Sequence, residues 1–525
     1  MQESESEKTL TERGDSVQPV LAAEEISGSD TVLDSETTSG PEMAPGPEAA
    51  PGHEAAPPRQ GGKNDPDRLG KERVGKLLVE FSAPAIVMMI FNSLYNIIDT
   101  IFLQIAIPGI GAAVTQLAFP VMCILMGCSM IAGIGGNALA AIELGRGNKE
   151  RVEKILGNTA TLLVAMGVLA AIVGTFLIDP LLVLLGAGGE LWEPTKIFLQ
   201  IVLIGFVLQS LGMGMNNFLR TAGRPNLSLA TSVLGTVACL VLNAILVLGM
   251  RLGIAGSALA TVVGQGIGML PVVWFFAVYR GAPFRLRASA LVLEAGLATK
   301  ILSLGLASFV MQCGSAVVTL VLNHVINLYA ANDPIGVTNA FAVISIIWKV
   351  LGLAYTVVIG VTSGAQPILG YNIGAKKWDR VLATLKWSCI GAAALATVGW
   401  VFFELIPEIV LVPFNVGDDQ MDFACMAMRI MAAWLPLVGY QMMGSSYFQS
   451  SGQPLKATIL ELTRQILFLI PLYLLFPPFA MAWFGVSGLT GVLLCVPISD
   501  ALAFVTTTYF VVVEVRRLRR LRDGQ

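Results

Sequence analysis

The stretch LYNIIDTIF, residues 94–102, decides the fold of this chain. It lies inside an apolar run over residues 81–107, which is longer than the roughly 20 apolar residues that a helix needs to cross a bilayer. Asp99 stands well inside that run. A charge at mid-membrane costs at least ~2.5 kcal/mol, so we expect Asp99 to face a protein interior or a wet cavity, or to hold a proton. The rest of the chain is expected to house this site.

The composition indicates a polytopic membrane protein. Of 525 residues, 55% are hydrophobic and 13% are charged, and the mean hydropathy is +0.72, whereas an ordinary soluble domain has about 25% charged residues. The net charge of −3 hides an acidic head followed by a hydrophobic body with basic loops. Net charge therefore identifies no partner, and we expect no binding of nucleic acid.

The cysteines all fall within apolar segments, without a CxxC pair and without a His at ligand spacing. This pattern predicts small buried side chains rather than a metal site or a disulfide framework. We expect no cofactor apart from a transported coupling ion, H⁺ or Na⁺. The seven are Cys123, Cys128, Cys239, Cys313, Cys389, Cys425 and Cys495.

The head of the chain, residues 1–66, is rich in Glu, Ser, Pro, Ala and Gly. Such a segment buries too little apolar surface to offset the entropy of ordering, so we expect a disordered acidic tail, with a regulatory or partner-binding role left open. The first seventy residues contain no apolar core of a signal peptide. We therefore expect the first membrane span itself to direct insertion.

About twelve apolar segments follow the tail. Basic residues cluster in every second connection between them, for example at Arg146, Lys149 and Arg151. The positive-inside rule then places both termini in the cytoplasm, which requires an even number of spans in the cell membrane. The predicted spans are 78–106, 114–144, 156–179, 193–219, 227–249, 254–279, 297–326, 336–369, 381–406, 422–449, 456–477 and 485–513.

An internal repeat relates the two halves of the chain. Three stretches recur in the same order at separations of 229 to 232 positions, and about six spans lie between equivalent points, so the copies are parallel repeats. The matched pairs are 216–227 with 445–456, 253–264 with 485–496, and 144–152 with 370–381. We predict an all-α fold with an N-lobe (67–279), a cytoplasmic linker (280–296), a C-lobe (297–515) and a basic tail (516–525). Two lobes around a central cleft fit alternating access.

Several motifs at consistent spacing resemble the multidrug and toxic compound extrusion (MATE) family, in its prokaryotic branch. They are LYNIIDTIF, IAGIGGNALAAIELGRGNKERV, FLRTAGRPNLS, GIAGSALATVVGQ, SGAQPILGYNIGAKKWDRV, YFQSSGQPLKA and LTRQILFLIPL, and the likeness covers about residues 75–515. The resemblance implies an antiporter that exports drugs or toxic amphiphilic and cationic compounds in exchange for H⁺ or Na⁺. It also implies twelve helices in two lobes that rock about a central cavity.

The family's coupling carboxylate maps onto Asp99. Its usual partners are an Asn-x-x-x-Asp pair in the fifth helix and a Thr in the sixth. Cys239 and Asn243 occupy the two places of that pair here, and Thr261 fits the last. Because Na⁺ prefers hard oxygen ligands, the loss of a carboxylate and of one amide favours H⁺ coupling over Na⁺ coupling.

The residues around Asp99 complete the candidate site. Asn92, Tyr95 and Asn96 precede it by seven, four and three positions, so they can share its helix face. The structural alternative is a carboxylate that bonds Asn96 or Asn243 and only fixes the helix geometry. For Thr261 the packing role is favoured over a role in coupling, because Ser and Thr are common packing residues in membrane helices.

Further polar residues, most of them in the second lobe, are candidates for the lining of a central substrate cavity. Lys349 and Asp500 can form an ion pair or can each line the cleft, whereas Glu461 and Arg464 are expected to pair at i, i+3. A methionine-rich lining suits varied substrates; it would comprise Met88, Met89, Met122, Met126, Met130, Met311, Met442 and Met443, with Tyr440 and Trp348. The cavity candidates are Asn92, Tyr95, Gln312, Asn323, Lys349, Tyr440, Gln441 and Asp500.

Three other functions remain open from the sequence. A flippase for lipid-linked oligosaccharides or lipids has a related architecture but needs a basic cavity, and deep within the spans only Lys349 and Arg464 offer that charge. An intramembrane enzyme lacks a recognisable motif such as HExxH or GxSxG, so we expect no enzymatic activity. A passive channel is disfavoured by the paired lobes. The expected partners are small-molecule substrates and membrane lipids, and the expected state is a monomer.

Overall fold

The computed structural model describes residues 66–107, 110–185, 187–331, 333–414 and 417–524. Within these ranges, the side chains of residues 66, 96, 97, 99–101, 103–106, 112, 338, 418 and 419 are not described. Residues 1–65 of the predicted acidic tail lie outside the described residues. The described body forms one compact unit of helices.

The prediction of an all-α protein with twelve spans is confirmed by twelve helical segments that are long and apolar enough to cross a membrane. The first six are α1 (Val74–Ala106), α2 (Ile110–Gly145), α3 (Lys149–Phe176), α5 (Trp192–Thr221), α6 (Pro225–Asn243) and α7 (Gly253–Ala277), with a short α4 (Ile178–Leu184). The second six are α8 (Ala295–Ala330), α9 (Val337–Gly374), α10 (Trp378–Leu405), α12 (Asp418–Ala432) with α13 (Leu435–Ser450), α14 (Pro454–Leu462) with α15 (Ile470–Phe484), and α16 (Gly488–Asp523), with a short α11 (Pro407–Leu411).

Proline and helix widening interrupt the spans at defined points. The tenth span breaks between α12 and α13, where Pro436 occupies the first turn of α13. The eleventh widens into a π-helix over Thr463–Leu469, just before Pro471, because a proline lacks the N–H that would bond the preceding turn. The equivalent fifth span also ends in a π-helix, Ala244–Gly249. At the repeat offset of 229 positions, Ala244–Gly249 corresponds to residues 473–478, so the two π-helices lie at different places in their repeats.

We call the helices of the first half of the chain, α1–α7, the N-lobe and those of the second half, α8–α16, the C-lobe. The two sets of helices contact each other along α2 with α8 and along α1 with α9. Glycines allow these helices to cross at backbone contact: a side chain on Gly135 would overlap the carbonyl of Ile301, and one on Gly305 would overlap that of Ile131. The ends of α2 and α9 meet in the same way, where a Cβ on Gly374 would overlap the backbone of residue 142. The lobes are therefore closed against each other on the side of the basic loops.

A segment ahead of α1, residues 66–73, straps the first lobe to the second on that same side. Its 3₁₀-helix Pro66–Gly70 packs on α9. The Asn372 side-chain amide donates to the Leu69 carbonyl at 3.0 Å, and the Arg380 guanidinium donates to the Glu72 carbonyl at 2.6 Å. We call residues 66–73 the N-terminal strap.

The linker between the lobes lies on α3. The Asn158 side chain donates to the Val292 carbonyl at 3.2 Å and accepts from the Glu294 amide at 2.8 Å. Arg287 pairs with Glu153 at 2.8 Å. These contacts hold the linker to the first lobe while it leads into α8.

Candidate functional site

A cavity of about 150 Å³ lies between the lobes, just beyond the glycine crossings. Helices α1, α2, α5 and α6 line it from the first lobe, and α8, α9, α13 and α14 from the second. Its apolar lining includes six methionines: Met88, Met89, Met130, Met213, Met311 and Met442. Thioether side chains are flexible and polarisable, so this lining adapts to apolar ligands of different shape.

The polar side of the cavity is built from repeat-related residues. Helices α5 and α13 end here, and the same three positions of the two repeats line the cavity from opposite lobes. These pairs are Asn216 with Ser445, Asn217 with Ser446, and Arg220 with Gln449. The internal repeat therefore places equivalent residues of both lobes at one cavity.

Arg220 is the cation of this site. It is 3% exposed and stands in the last turn of α5. Its Nη2 donates to Oδ1 of Asn217, whereas Nε and Nη1 have no hydrogen-bond partner among the residues that the structure describes. Glu461 on α14 lines the same cavity from the other lobe, half-buried. The cavity thus carries one charge of each sign, one from each lobe.

Hydrogen bonds order the amides on the C-lobe side. Gln366 Nε2 donates to Ser446 Oγ at 3.2 Å and to Gln449 Oε1 at 3.3 Å. Gln449 Nε2 in turn donates to Ser308 Oγ at 2.9 Å. This network joins α8, α9 and α13 and fixes the polar wall.

The predicted coupling site lies along α1. The side chains of Asp99 and Asn96 fall outside the described residues, so their roles stay predictions. Tyr95, one turn earlier on α1, shares a hydrogen bond of 2.8 Å between its hydroxyl and that of Thr261 on α7. Cys239 on α6 donates to the Thr261 carbonyl with an S···O distance of 3.6 Å. Asn243 is fully buried one turn beyond Cys239, where α6 ends. Three helices therefore meet around Thr261.

The predicted cavity residues separate into two groups. Asn92 lines the central cavity. Gln312 lies at the contact of α8 with α2, where its Nε2 approaches Met126 Sδ at 3.1 Å. The others lie elsewhere and do not line this cavity: Tyr440 packs on Phe504, Gln441 is buried, Asn323 is half-buried, and Lys349 is exposed.

Asp500 is paired inside the C-lobe. Arg464 Nε lies 3.1 Å from Asp500 Oδ1, and the Arg464 guanidinium stands 5.3 Å from the centre of the Tyr355 ring. The expected Glu461–Arg464 pair is therefore wrong, and so is the Lys349–Asp500 alternative. A buried carboxylate is costly without a counter-charge, and Arg464 supplies it from the neighbouring helix, while Glu461 faces the cavity.

The methionine prediction is right for five of its eight residues, whereas Met122, Met126 and Met443 do not line the cavity. Met88, Met89, Met130, Met311 and Met442 line the cavity. Met443 is instead fully buried in the core, because its neighbour Met442 already takes the cavity face. Trp348 packs into the C-lobe core. Among the cysteines, Cys128 and Cys313 are half-buried and the other five are buried.

Comparison with known proteins gives the family. The profile of the MatE family matches residues 84–247 and 304–475. This chain belongs to the MatE family. The prediction of a MATE transporter is thereby confirmed, and the chain belongs to a family of membrane transporters.

Relatives of this MATE protein match over most of their length. The multidrug export protein MepA of Staphylococcus aureus (strain MSSA476) is 22% identical over 446 residues, covering 84% of this chain and 94% of MepA. MepA of Staphylococcus saprophyticus is 22% identical over 435 residues, covering 82% and 92%.

Solved structures share the fold. An outward-facing multidrug resistance MATE transporter of the MOP superfamily superposes with a TM-score of 0.79 at 23% identity, covering 86% of this chain and 98% of the other. A MOP superfamily transporter from Pyrococcus furiosus, described as having a binding pocket of reversed polarity, superposes with a TM-score of 0.79 at 22% identity, covering 86% and 98%.

The sequence analysis did not predict three polar residues that line the cavity of this MATE protein. Arg220, Gln366 and Glu461 were not among the predicted cavity residues. A signal for Arg220 was present, since it directly follows the fourth predicted span, in a repeated motif whose second copy carries Gln449. Glu461 was obscured by Arg464, three positions away on the same helix.

Proposed function

We propose that this MATE protein is an antiporter that exports amphiphilic compounds, many of them cationic, while protons move inward through Asp99. The observation that carries the proposal is the methionine-lined cavity between two repeat-related lobes. MepA, by its name, exports multiple drugs. An adaptable apolar lining with one acidic side chain, Glu461, suits ligands that differ in shape and carry a positive charge.

The closed glycine crossings support alternating access. By the positive-inside rule the basic loops face the cytoplasm, so the lobes are sealed on the cytoplasmic side of the cavity, and both termini lie in the cytoplasm. A volume of about 150 Å³ is below the roughly 300–1,000 Å³ of sites for drug-sized ligands. A drug therefore enters only when the lobes part.

Contacts of α1 with both lobes link the protonation of Asp99 to the packing of the helices around the cavity. Ser93 and Thr356 hydroxyls lie 3.3 Å apart across the lobes, and the Tyr95 hydroxyl bonds Thr261 within the first lobe. Asp99 follows on the same helix. A change in its protonation would alter the packing of α1 and thereby its contacts with α9.

Proton coupling is favoured by the ligand set of the first lobe. Na⁺ requires several hard oxygen ligands. Cys239 contributes sulfur at a position where the family has an amide, and Asn243 stands where it has a carboxylate. A proton needs only Asp99 itself. We place the protein in the plasma membrane as a monomer.

A lipid flippase is the second candidate. Arg220 favours it, since a buried guanidinium with unpartnered N–H groups suits an anionic headgroup. Glu461 in the same cavity opposes it, because a carboxylate repels a pyrophosphate. Reconstituted protein would scramble a fluorescent lipid between leaflets if it were a flippase.

Transport in proteoliposomes with separate pH and Na⁺ gradients tests the proposal. Efflux of a cationic dye should follow the pH gradient and ignore the Na⁺ gradient. Efflux driven by Na⁺ alone would contradict proton coupling, and lipid scrambling without dye transport would favour the flippase.

A further inference from the structure

A second, open cavity of about 500 Å³ lies on the side of the basic loops, between the start of α3 and the start of α8. One of these helices belongs to the N-lobe and the other to the C-lobe. This surface cavity is separate from the central cavity, because the two share no lining residue. The residues that line it are Asn148, Glu150, Arg151, Lys154, Glu294, Gly296, Leu297 and Lys300.

The lining of the surface cavity carries three cations and two carboxylates, so one positive charge is in excess. Lys154 pairs with Glu294 at 3.5 Å. Lys300 is exposed, and its ammonium forms no ion pair with the residues that the structure describes. The side chain of Arg151 is 46% exposed. Both groups are therefore accessible to a ligand, and the excess charge matches the single negative charge of a phosphodiester.

The internal repeat shows how the equivalent arginine of the C-lobe is satisfied. Arg151 corresponds to Arg380, and each lies beside an equivalent side chain: Arg151 is 3.7 Å from Glu143, and Arg380 donates to Asn372 at 3.0 Å. Arg380 also donates to two carbonyl oxygens of the N-terminal strap. In the described part of the chain, no carbonyl accepts from the Arg151 guanidinium. The N-lobe thus leaves open a cation that the C-lobe covers with oxygen atoms.

The linker exposes three consecutive apolar side chains next to the surface cavity. Residues 291–293, Leu-Val-Leu, are 41%, 70% and 48% exposed. Their backbone is fixed on α3, since Thr161 and Asn158 donate to two of its carbonyls at 2.8 and 3.2 Å. The next residue is Glu294 of the cavity lining. Acyl chains would cover this apolar surface and a soluble anion would not, so a lipid headgroup fits the cavity better than free phosphate.

We infer that the surface cavity binds the headgroup of an anionic phospholipid whose phosphodiester carries one negative charge. Arg151 and Lys300 contact the phosphate, and residues 291–293 contact the acyl chains. Basic pockets between membrane helices on the cytoplasmic side are suited to such headgroups. Because α3 and α8 belong to different lobes, the bound lipid would bridge the lobes where they are closed. The inference holds whatever compound the central cavity carries.

Native mass spectrometry of the full-length protein in detergent tests the inference. The probes are phosphatidylglycerol, which carries one negative charge, and phosphatidylethanolamine with the same chains, which carries none. The first bound lipid should have a dissociation constant at least about fivefold lower for phosphatidylglycerol, the effect of about one cation near the headgroup. Equal affinities, or tighter binding of phosphatidylethanolamine, would overturn the inference.

Variants then assign the headgroup site. Lys300→Gln and Arg151→Gln should each weaken binding of phosphatidylglycerol about fivefold and remove most of its preference over phosphatidylethanolamine, whereas Lys300→Arg should retain that preference. Lys376→Gln is the matched control, because it removes an exposed cation from the equivalent connection of the C-lobe, outside the surface cavity. Equal losses in Lys300→Gln and Lys376→Gln would contradict the assignment, since general surface charge would then select the lipid.

Two further measurements distinguish a lipid from a soluble anion. Glycerophosphoglycerol has the same phosphodiester without acyl chains, and at equal concentration it should not displace phosphatidylglycerol. Displacement would assign the cavity to a soluble phosphate ester and overturn the lipid assignment. Val292→Asn removes apolar contact and no charge, so it should weaken both phospholipids alike. Unchanged affinities in Val292→Asn would contradict the role of residues 291–293.

Discussion

Arg464 and Asp500 form their 3.1 Å ion pair at a helix crossing whose counterpart in the first lobe contains only glycine. The repeat aligns these two residues with Gly235 and Gly268, and a Cβ on Gly268 would lie 3.0 Å from the Gly235 Cα. One lobe thus packs backbone on backbone where the other buries a charge pair. The C-lobe crossing should depend on both charges being present.

Removal of one partner should destabilise the C-lobe. Arg464→Ala leaves the Asp500 carboxylate buried without a counter-charge, and we expect a loss of about 3–5 kcal/mol of unfolding free energy. Thermal unfolding of the purified protein measures it. The exposed Lys349→Met is the control and should stay within about 0.5 kcal/mol. A loss as small as the control's would show that the pair contributes little.

A side chain at the α2–α8 crossing should hold the lobes apart on the cytoplasmic side. Gly305→Leu would overlap the Ile131 backbone, so the closed crossing cannot form. Spin labels at Glu150 and Lys386, in protein whose native cysteines are replaced by serine, should report a longer mean distance. Gly296→Leu on the same helix meets nothing within 4 Å and should leave the distance unchanged. An unchanged distance in Gly305→Leu would contradict the seal.

Loss of Arg380 should free the N-terminal strap. Arg380→Ala removes the donor to the Glu72 and Leu69 carbonyls. Trypsin should then cut at Lys71 and Arg73 several times faster than in the unaltered protein. Lys386→Ala, an exposed change on the same helix, should not change the cleavage rate. Equal rates in both variants would mean that other contacts hold the strap.

The strap should resist acid until far below neutral pH. Hydrogen bonds from Arg68 and then from Lys76 lower the pKa of the Glu72 carboxyl from 4.5 to about 2. A group whose folded-state pKa is lowered contributes stability that is complete above the unfolded pKa and is lost as the pH falls through the folded one. A spin label at Lys71→Cys should therefore stay immobile down to pH 4.5 and gain mobility towards pH 2. With Glu72→Gln added, that transition should vanish; its persistence would assign it to another group.

The Tyr95–Thr261 bond should couple α1 to α7. Tyr95→Phe and Thr261→Val each remove the same hydrogen bond, so the double variant should lose less stability than the sum of the two. Such bonds between membrane helices average about 0.6 kcal/mol, with a maximum near 1.7. A double-mutant cycle on the free energy of unfolding measures the coupling. Strict additivity would show that the two hydroxyls act independently.

Much of the fold follows from the sequence because long apolar runs have few alternatives to a membrane helix. The spans and the repeat emerged in this way. The ends of the helices were not predicted in this way. Helix α16 continues through the predicted basic tail to Asp523, because charged residues can extend a helix beyond its apolar part. The break before Leu435 came from Pro436, one of several prolines that look alike in sequence.

Site residues were predicted correctly only where their spacing along a single helix determines which face they occupy. Asn92 and the methionines of α1 reach the cavity as expected, because their spacing defines one face. Arg464 has a partner three positions away in sequence, yet it pairs with Asp500 on another helix, and only packing reveals that choice. Arg220 is recognised as a site residue only from the structure, in which the ends of α5 and α13 line one cavity.

Proton release on substrate binding tests the central claim most directly. If Asp99 holds the proton that competes with substrate, adding a cationic dye to weakly buffered purified protein should release protons, because binding of the two ligands is reciprocally linked. The account predicts release by the unaltered protein and by Asp333→Asn, and none by Asp99→Asn while that variant still binds the dye. Equal release from Asp99→Asn would contradict the account.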